Sequence, residues 1–254
     1  MDLFDLSGRV ALVTGGNGGI GLGMAGGLAA AGAAVMIAGR SRVKGKAAVA
    51  ALRQTGATAE TITADVAQET SCRAMVSTTV AALGRLDILI NNAGIGIGKR
   101  PEELALAEWN GLLAVNLTGA FVAAQAAYPE MKRQGGGKII NIGSMFSIFG
   151  GPFAAAYGAS KGGIVQLTKS LATAWAADNI RVNAVLPGCI DTDLSRGARE
   201  REPALDANVL RRTPAGRWGT PRDLAGAAVF LASAASDFVT GAAIPVDGGF
   251  AIQG

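Results

Sequence analysis

Apolar runs of five to eight residues alternate with helical patterns along most of the chain. The run Arg9–Thr14 is short, β-branched and apolar, which predicts a buried strand. A glycine turn, Gly15–Gly19, leads into a helix of small residues, Ile20–Ala31, stopped by Gly32. Ala33–Ala38 reads as the second strand, Arg42–Gln54 as an amphipathic helix closed by Gly56, and Ala59–Ala64 as the third strand. The helix Gln68–Leu83 ends at Gly84, and Leu86–Asn91 is the fourth strand. A long helix follows, Leu106–Arg133, with Pro129 expected to kink its last part. Lys138–Ile142 is the fifth strand, Ala154–Ala177 a helix, Ile180–Leu186 the sixth strand, Asp223–Ala232 a helix and Ala242–Val246 the last strand. Such alternation implies an α/β protein with a doubly wound, mostly parallel, seven-stranded sheet covered by helices on both faces. No linker composition or repeat interrupts it, so residues 1–254 are expected to form one domain. The exception is the segment 193–222, richer in arginine than in acids and punctuated by proline, which reads as an irregular solvated flap.

Composition narrows the classes of function. Half of the 254 residues are apolar, enough for a full core. The net charge of +4 is mild and scattered, which gives no footprint for nucleic acid. There is no histidine, so Ser-His and Cys-His triads and the usual zinc sites are excluded, and no metal is expected. The two cysteines, Cys72 and Cys189, form no disulfide framework and fit a reducing cytoplasm. Acids at Asp2 and Asp5 stand where a secretion signal would carry bases. The stretch from Val10 to Gly39 carries no charge, and Gly19, Gly23 and Gly27 mimic the spacing of a membrane dimer motif. The same stretch is too dense in glycine for a good span, so strand, turn, buried helix and strand is the better reading, with no membrane partner.

Two stretches carry candidate chemistry. Thr14-Gly15-Gly16-Asn17-Gly18-Gly19-Ile20-Gly21 joins a strand to a helix, where glycines let the backbone approach a pyrophosphate and the helix start offers free N–H groups. No Gly-Lys-Ser/Thr follows, which argues against a P-loop. Tyr157 and Lys161 lie four residues apart on a helix, hence on one face. A nearby ammonium favours phenolate, and a tyrosine so placed can exchange a proton with an alcohol or carbonyl oxygen. The same spacing also occurs on helices that do no chemistry. Ser144, at the end of the fifth strand, could donate to the same oxygen. Asp65, Asn91–Gly94, Ser144 and Pro187-Gly188 fall at the C-terminal ends of strands, where an open doubly wound sheet binds its ligand.

With these motifs in place the chain resembles the short-chain dehydrogenase/reductase family over nearly its whole length. The resemblance rests on Thr-Gly-x-x-x-Gly-x-Gly at Thr14–Gly21, Asn-Asn-Ala-Gly at Asn91–Gly94 and Asn116 in Asn-Leu-Thr-Gly. It rests also on Ser144, Tyr157 and Lys161 at the family spacing, on Pro187-Gly188-x-Ile190-x-Thr192 and on Val246-Asp247-Gly248-Gly249. It implies a Rossmann-type fold and an enzyme that interconverts a secondary alcohol and a ketone with a nicotinamide cofactor. Tyr157 would be the proton donor or base, Lys161 would lower its pKa and hold the nicotinamide ribose, Ser144 would orient the substrate oxygen, and Asn116 would hold a water linking Lys161 to solvent. The cofactor would be lined by Gly15, Asn17, Gly18, Gly19, Ile20 and Gly21, and by Asp65 and Val66 at the adenine. Asn92, Ala93 and Gly94 would line the adenosine side, and Pro187, Gly188, Ile190 and Thr192 the nicotinamide. Asn91 is expected to be structural, joining neighbouring strands.

An acid at the end of the second strand would bond the adenine ribose and repel a 2′-phosphate. Here that position is Gly39, followed by Arg40, Ser41 and Arg42. Arg40 can grip a phosphate with parallel bonds and Ser41 can add a hydroxyl, so NADP(H) is expected, with NAD(H) as the alternative. Asn17 departs from the basic residue that many NADP-using relatives carry in the turn. The substrate is expected to be a small ketone or alcohol, with sugars, sugar acids and 3-oxoacyl chains as the nearest classes by resemblance. The resemblance also implies a homotetramer, and Leu112, Val115, Phe121 and Ala124 crowd the long helix. A nucleotide-binding sensor without chemistry is the competing class, and its mark would be a broken tetrad.

Overall fold

The computed structural model describes residues 3–201 and 204–253. Residues 202 and 203 of the expected flap, and residues 1, 2 and 254 of the expected domain, lie outside the described residues. Strands β1 (Val10–Thr14), β2 (Ala34–Gly39), β3 (Ala59–Thr63), β4 (Ile88–Asn91), β5 (Gly137–Ile142), β6 (Ile180–Pro187) and β7 (Ala243–Val246) form one sheet in the order β3-β2-β1-β4-β5-β6-β7. Every neighbouring pair is parallel. Helices α1 (Gly19–Ala30), α2 (Arg42–Gln54), α3 (Glu69–Leu83), α4 (Leu106–Leu113), α5 (Gly119–Arg133) and α6 (Ala155–Trp175) make the crossovers, and α7 (Asp193–Arg201), α8 (Leu205–Arg212) and α9 (Ala225–Ala232) follow β6.

The period-two alternation of the central strands divides the core in two. Ala11, Val13, Val35, Ile37, Ile88 and Ile90 face one way and pack with Met24 and Leu28 of α1 and Ala228 and Leu231 of α9. Leu12, Met36, Leu89, Ile139 and Val182 face the other way, onto Met75 and Val76 of α3, Ala123 and Ala127 of α5 and Leu171 of α6. Both faces being dry, the strands read as continuous apolar runs. The glycines that mimic a membrane motif serve this packing. A Cβ on Gly23 would strike the carbonyl of Pro221, and one on Gly27 would lie 2.7 Å from the Ala225 methyl.

Two expectations are corrected. The long helix is continuous over Leu106–Arg133 but passes through a π-helical turn, Ala114–Thr118, with Asn116 buried within it. By length and composition this helix could cross a membrane, yet Leu112, Ala123, Ala124, Ala127 and Met131 are buried in this chain's own core. Leu112 and Ala124 therefore carry no argument for assembly, while Phe121 is exposed. The flap is not irregular throughout. It holds α7 and α8, and Val209 of α8 is buried.

Candidate active site

The order of the sheet reverses between β1 and β4, where Thr14 pairs with Asn91. Side chains hold this point together. The Thr14 hydroxyl accepts from the backbone N–H of Asn92 (3.0 Å) and of Ala93 (3.1 Å), and the Asn92 amide donates to the carbonyls of Thr14 (3.0 Å) and Gly15 (3.2 Å). Gly21 closes the junction: a Cβ there would strike the Asn92 amide and lie 2.5 Å from the Gly15 oxygen. The Asn92 side chain is thus a clamp on the glycine turn, and what the residue can offer a cofactor is its backbone. Asn91 is structural as expected, donating to Asn141 Oδ1 (2.9 Å) on β5 and to the Ala120 carbonyl (3.2 Å) on α5. Asn141 in turn donates to Thr168 on α6 (2.9 Å).

The catalytic candidates converge one strand further on. The Lys161 amine is buried and donates to the Ile142 carbonyl at 2.7 Å, and it lies 5.7 Å from the centre of the Tyr157 ring. Gly94 comes down on the same spot, where a Cβ would lie 3.4 Å from Asn116 Oδ1 and 3.7 Å from Lys161 Nζ. Asn116 accepts from the Ile95 N–H (2.8 Å) and donates to the Ile95 carbonyl (2.9 Å) and to Ser160 (3.2 Å). Its side chain therefore fastens the loop after β4 to α6. The Ser144 hydroxyl accepts from the Phe146 N–H (3.2 Å) and is near enough to Tyr157 to influence its phenol, and the Phe146 ring meets Tyr157 edge-on at 5.8 Å.

Electrostatics differ from the expectation drawn from spacing alone. Burial lifts the Tyr157 phenol above its ordinary value, and the Ser144 hydroxyl offsets only part of this. Burial also lowers Lys161, to about 8. In the protein by itself burial is the largest influence on both groups.

The other expected cofactor residues divide by position. Val66 lines a small crevice with Thr14, Ala93 and Val115. Asp65 uses Oδ1 to accept from the Ala67 N–H (3.0 Å), leaving its other oxygen without a partner among the described residues. The backbone of Gly188, just after Pro187, donates to Val246 (3.0 Å), Ile190 is buried beside Gly219, and the Thr192 methyl lies 3.3 Å from where a Gly19 Cβ would stand. The start of the flap therefore rests on the glycine turn. Ser41 caps α2 by accepting from the Lys44 N–H (3.3 Å), which leaves its own O–H free to donate. Arg40 is exposed and makes no hydrogen bond or ion pair among the described residues. Asn17 packs on Gly39, its amide atoms 2.7–3.0 Å from where a Cβ would be.

A dinucleotide fits this edge. The first turns of α1 and α2 hold no acid, and α2 begins with Arg42 and Lys44 against the sense of its dipole. Uncompensated positive charge beside free helical N–H groups favours a ligand with phosphates at both places.

A family model described as enoyl-(acyl carrier protein) reductase matches residues 15–251. The 2-dehydro-3-deoxy-D-gluconate 5-dehydrogenase of Formosa agariphila is 42% identical over 251 residues, covering 98% of this chain and 95% of that protein. The gluconate 5-dehydrogenase of Gluconobacter oxydans is 40% identical over 252 residues, covering 99% of this chain and 98% of that protein. Among solved structures, a gluconate 5-dehydrogenase from Burkholderia cenocepacia, in complex with NADP and tartrate, superposes with a TM-score of 0.95 at 43% identity, covering 100% of this chain and 99% of that one.

Proposed function

The chain belongs to the short-chain dehydrogenase/reductase family, and on that premise we propose that it is an NADP(H)-selective enzyme acting on a sugar acid. That it is an oxidoreductase interconverting a secondary alcohol and a ketone follows from its relatives. The sugar-acid class is supported by relatives named for gluconate and 2-dehydro-3-deoxy-D-gluconate. The observation that carries the chemistry is the convergence of Ser144, Tyr157, Lys161 and Gly94 at the sheet edge that also bears the glycine turn.

Bound NADP(H) supplies or takes up the hydride. Around it, the backbone of Gly15–Gly21 would face the pyrophosphate, and Arg40 with the Ser41 hydroxyl would receive the 2′-phosphate. In reduction the Tyr157 hydroxyl gives its proton to the carbonyl oxygen, and in oxidation the phenolate takes the proton back. Ser144 donates to that same oxygen. Lys161, charged below about pH 8, attracts the negative charge that forms on Tyr157. Asn116 holds the loop that brings Gly94 against Lys161.

We further propose a cytoplasmic homo-oligomer, a tetramer by analogy with the family. Cys72 and Cys189 are both free, and Phe121, Phe238 and Ile252 leave large apolar surfaces exposed. Light scattering tests the assembly, and a monomer at micromolar concentration would contradict it. The functional reading is tested by following nicotinamide absorbance with both cofactors over aldonic acids, their keto forms, neutral ketoses and 3-oxoacyl esters. It predicts the highest kcat/KM for a keto-aldonate with NADPH; a preference for 3-oxoacyl esters or for NADH would overturn it.

A further inference from the structure

The last turn of α8 carries Arg211 and Arg212. Bases there complement the helix dipole, and Arg211, exposed and touching only Asn208 Oδ1 at 3.4 Å, needs no other explanation. Arg212 is different. Its guanidinium lies between two aromatic rings, 4.7 Å from the centre of Phe149 and 4.3 Å from that of Phe250. These rings come from the loop that begins at Ser144 and from the C-terminal turn, so three distant parts of the chain meet on one cation. The stacking covers the faces of the guanidinium and leaves its N–H edge, which makes no hydrogen bond or ion pair among the described residues.

Nearby arginines are not left in this condition. Arg196 pairs with Asp191 and Asp193, Arg199 with Asp191 and Asp206, and Arg217 with Asp223. Asp191, Asp193, Asp206 and Asp223 are thus paired elsewhere. Arg211 and Arg212, with Phe149, Ala251, Ile252 and Gln253, line a cavity of about 510 Å³ whose lining holds no acid among the described residues. A clamped guanidinium with free N–H groups facing a cavity is pre-organised for a carboxylate, which it can bind through two parallel bonds.

One loop links the cavity to the reacting groups. Phe149 stands on the loop that carries Ser144, and Phe146 of that loop touches Tyr157. The positive charge of Arg212 is also felt by the thiol of Cys189, which directly follows Gly188 at the end of β6. We propose that Arg212, held between Phe149 and Phe250, is the residue that recognises the substrate's carboxylate, with Arg211 adding positive charge at the rim. This deepens the sugar-acid reading and rests on it.

The test compares a keto-aldonate with an uncharged ketose of the same chain length in wild type, Arg212→Gln and Arg212→Lys. In Arg212→Gln the acid-to-neutral ratio of kcat/KM should fall about ten- to a hundredfold, carried by KM more than by kcat. Arg212→Lys, which keeps the charge but not the fork, should fall between. Calorimetric titration of D-gluconate into the enzyme saturated with NADPH should weaken by a similar factor without any turnover. An equal loss for both substrates would make Arg212 a structural clamp, and an unchanged ratio with unchanged gluconate affinity would overturn the proposal. A wild type that prefers the neutral ketose would instead show that the sugar-acid reading has failed, and the proposal with it. Melting curves of both variants separate these outcomes from misfolding.

Discussion

The glycine turn with its neighbouring strand ends, and the flap that lies over it, are built on opposite principles. Around the turn, polar side chains are buried or half-buried and bonded to backbone or to one another: Thr14 and Asn92 hold the turn, and Asn91, Asn141 and Thr168 tie β4, β5 and α6 together. The flap is held by charges at the surface, such as Lys44 with Asp193, 63% and 80% exposed, and Arg196 with Asp191. A hydrogen bond whose loss leaves a buried partner unsatisfied costs about 1–3 kcal/mol, whereas an exposed ion pair contributes about 0–1 kcal/mol. The half that handles cofactor and proton is therefore fixed mainly by backbone and buried amides. The flap, proposed to face the substrate, depends more on side chains that can be exchanged at little cost to the fold.

The largest break should come on the fixed side. Tyr157→Phe keeps the ring against Phe146 and removes the proton, so kcat should fall about 10²–10⁴-fold while NADPH, titrated by its fluorescence, still binds. Retained turnover would remove Tyr157 from the mechanism. The pH profiles sharpen the same point. Reduction uses the protonated phenol, whose pKa burial raises, so it should stay level through neutral pH and fall only in the alkaline range. Oxidation needs phenolate and should rise with pH, less steeply once Lys161 loses its charge above about 8. An oxidation rate that is flat from mildly acidic to alkaline pH, with chemistry rate-limiting, would count against a tyrosine base.

Cofactor choice lies between the two halves and should show an intermediate effect. Arg40→Ala should raise the KM for NADPH about ten- to a hundredfold and leave that for NADH little changed. Gly39→Asp adds a ribose acceptor that repels phosphate, but its Cβ meets the Asn17 amide. The single variant should therefore gain less NADH activity than Asn17→Gly/Gly39→Asp, and steady-state kinetics with both cofactors decides it. Equal gains would mean that Asn17 yields freely.

The smallest effect belongs to the flap's exposed latch. Asp193→Asn releases Lys44 at the start of α2 and should lower the KM for NADPH by at most about fivefold, with no change in melting temperature beyond a degree or so. A large loss of stability would show that the flap is held more firmly than surface pairing allows.

How far the molecule was legible follows the same division. The strands, the turn and the one-face placement of Tyr157 and Lys161 are local patterns, and the structure reproduces them within a residue or two. The π-turn at Asn116 had no local signal, because a widened turn uses the same residues as the helix around it. The flap's helices were hidden by its arginines and prolines, although Leu205 and Val209, four apart, mark a helix face. Arg212's clamp joins residues from three remote segments, and the raised pKa of Tyr157 reflects burial, neither of which spacing reports.

The central claim, that hydride moves between NADP(H) and a secondary carbinol carbon, is tested most directly by isotope. Purified enzyme would be given a keto-aldonate and NADPH deuterated on one or the other face of nicotinamide C4, and the product examined by mass spectrometry. The account predicts one deuterium on the new carbinol carbon from one of the two labelled cofactors and none from the other. Product formed without deuterium from either, or label retained in the cofactor while product accumulates, would contradict it.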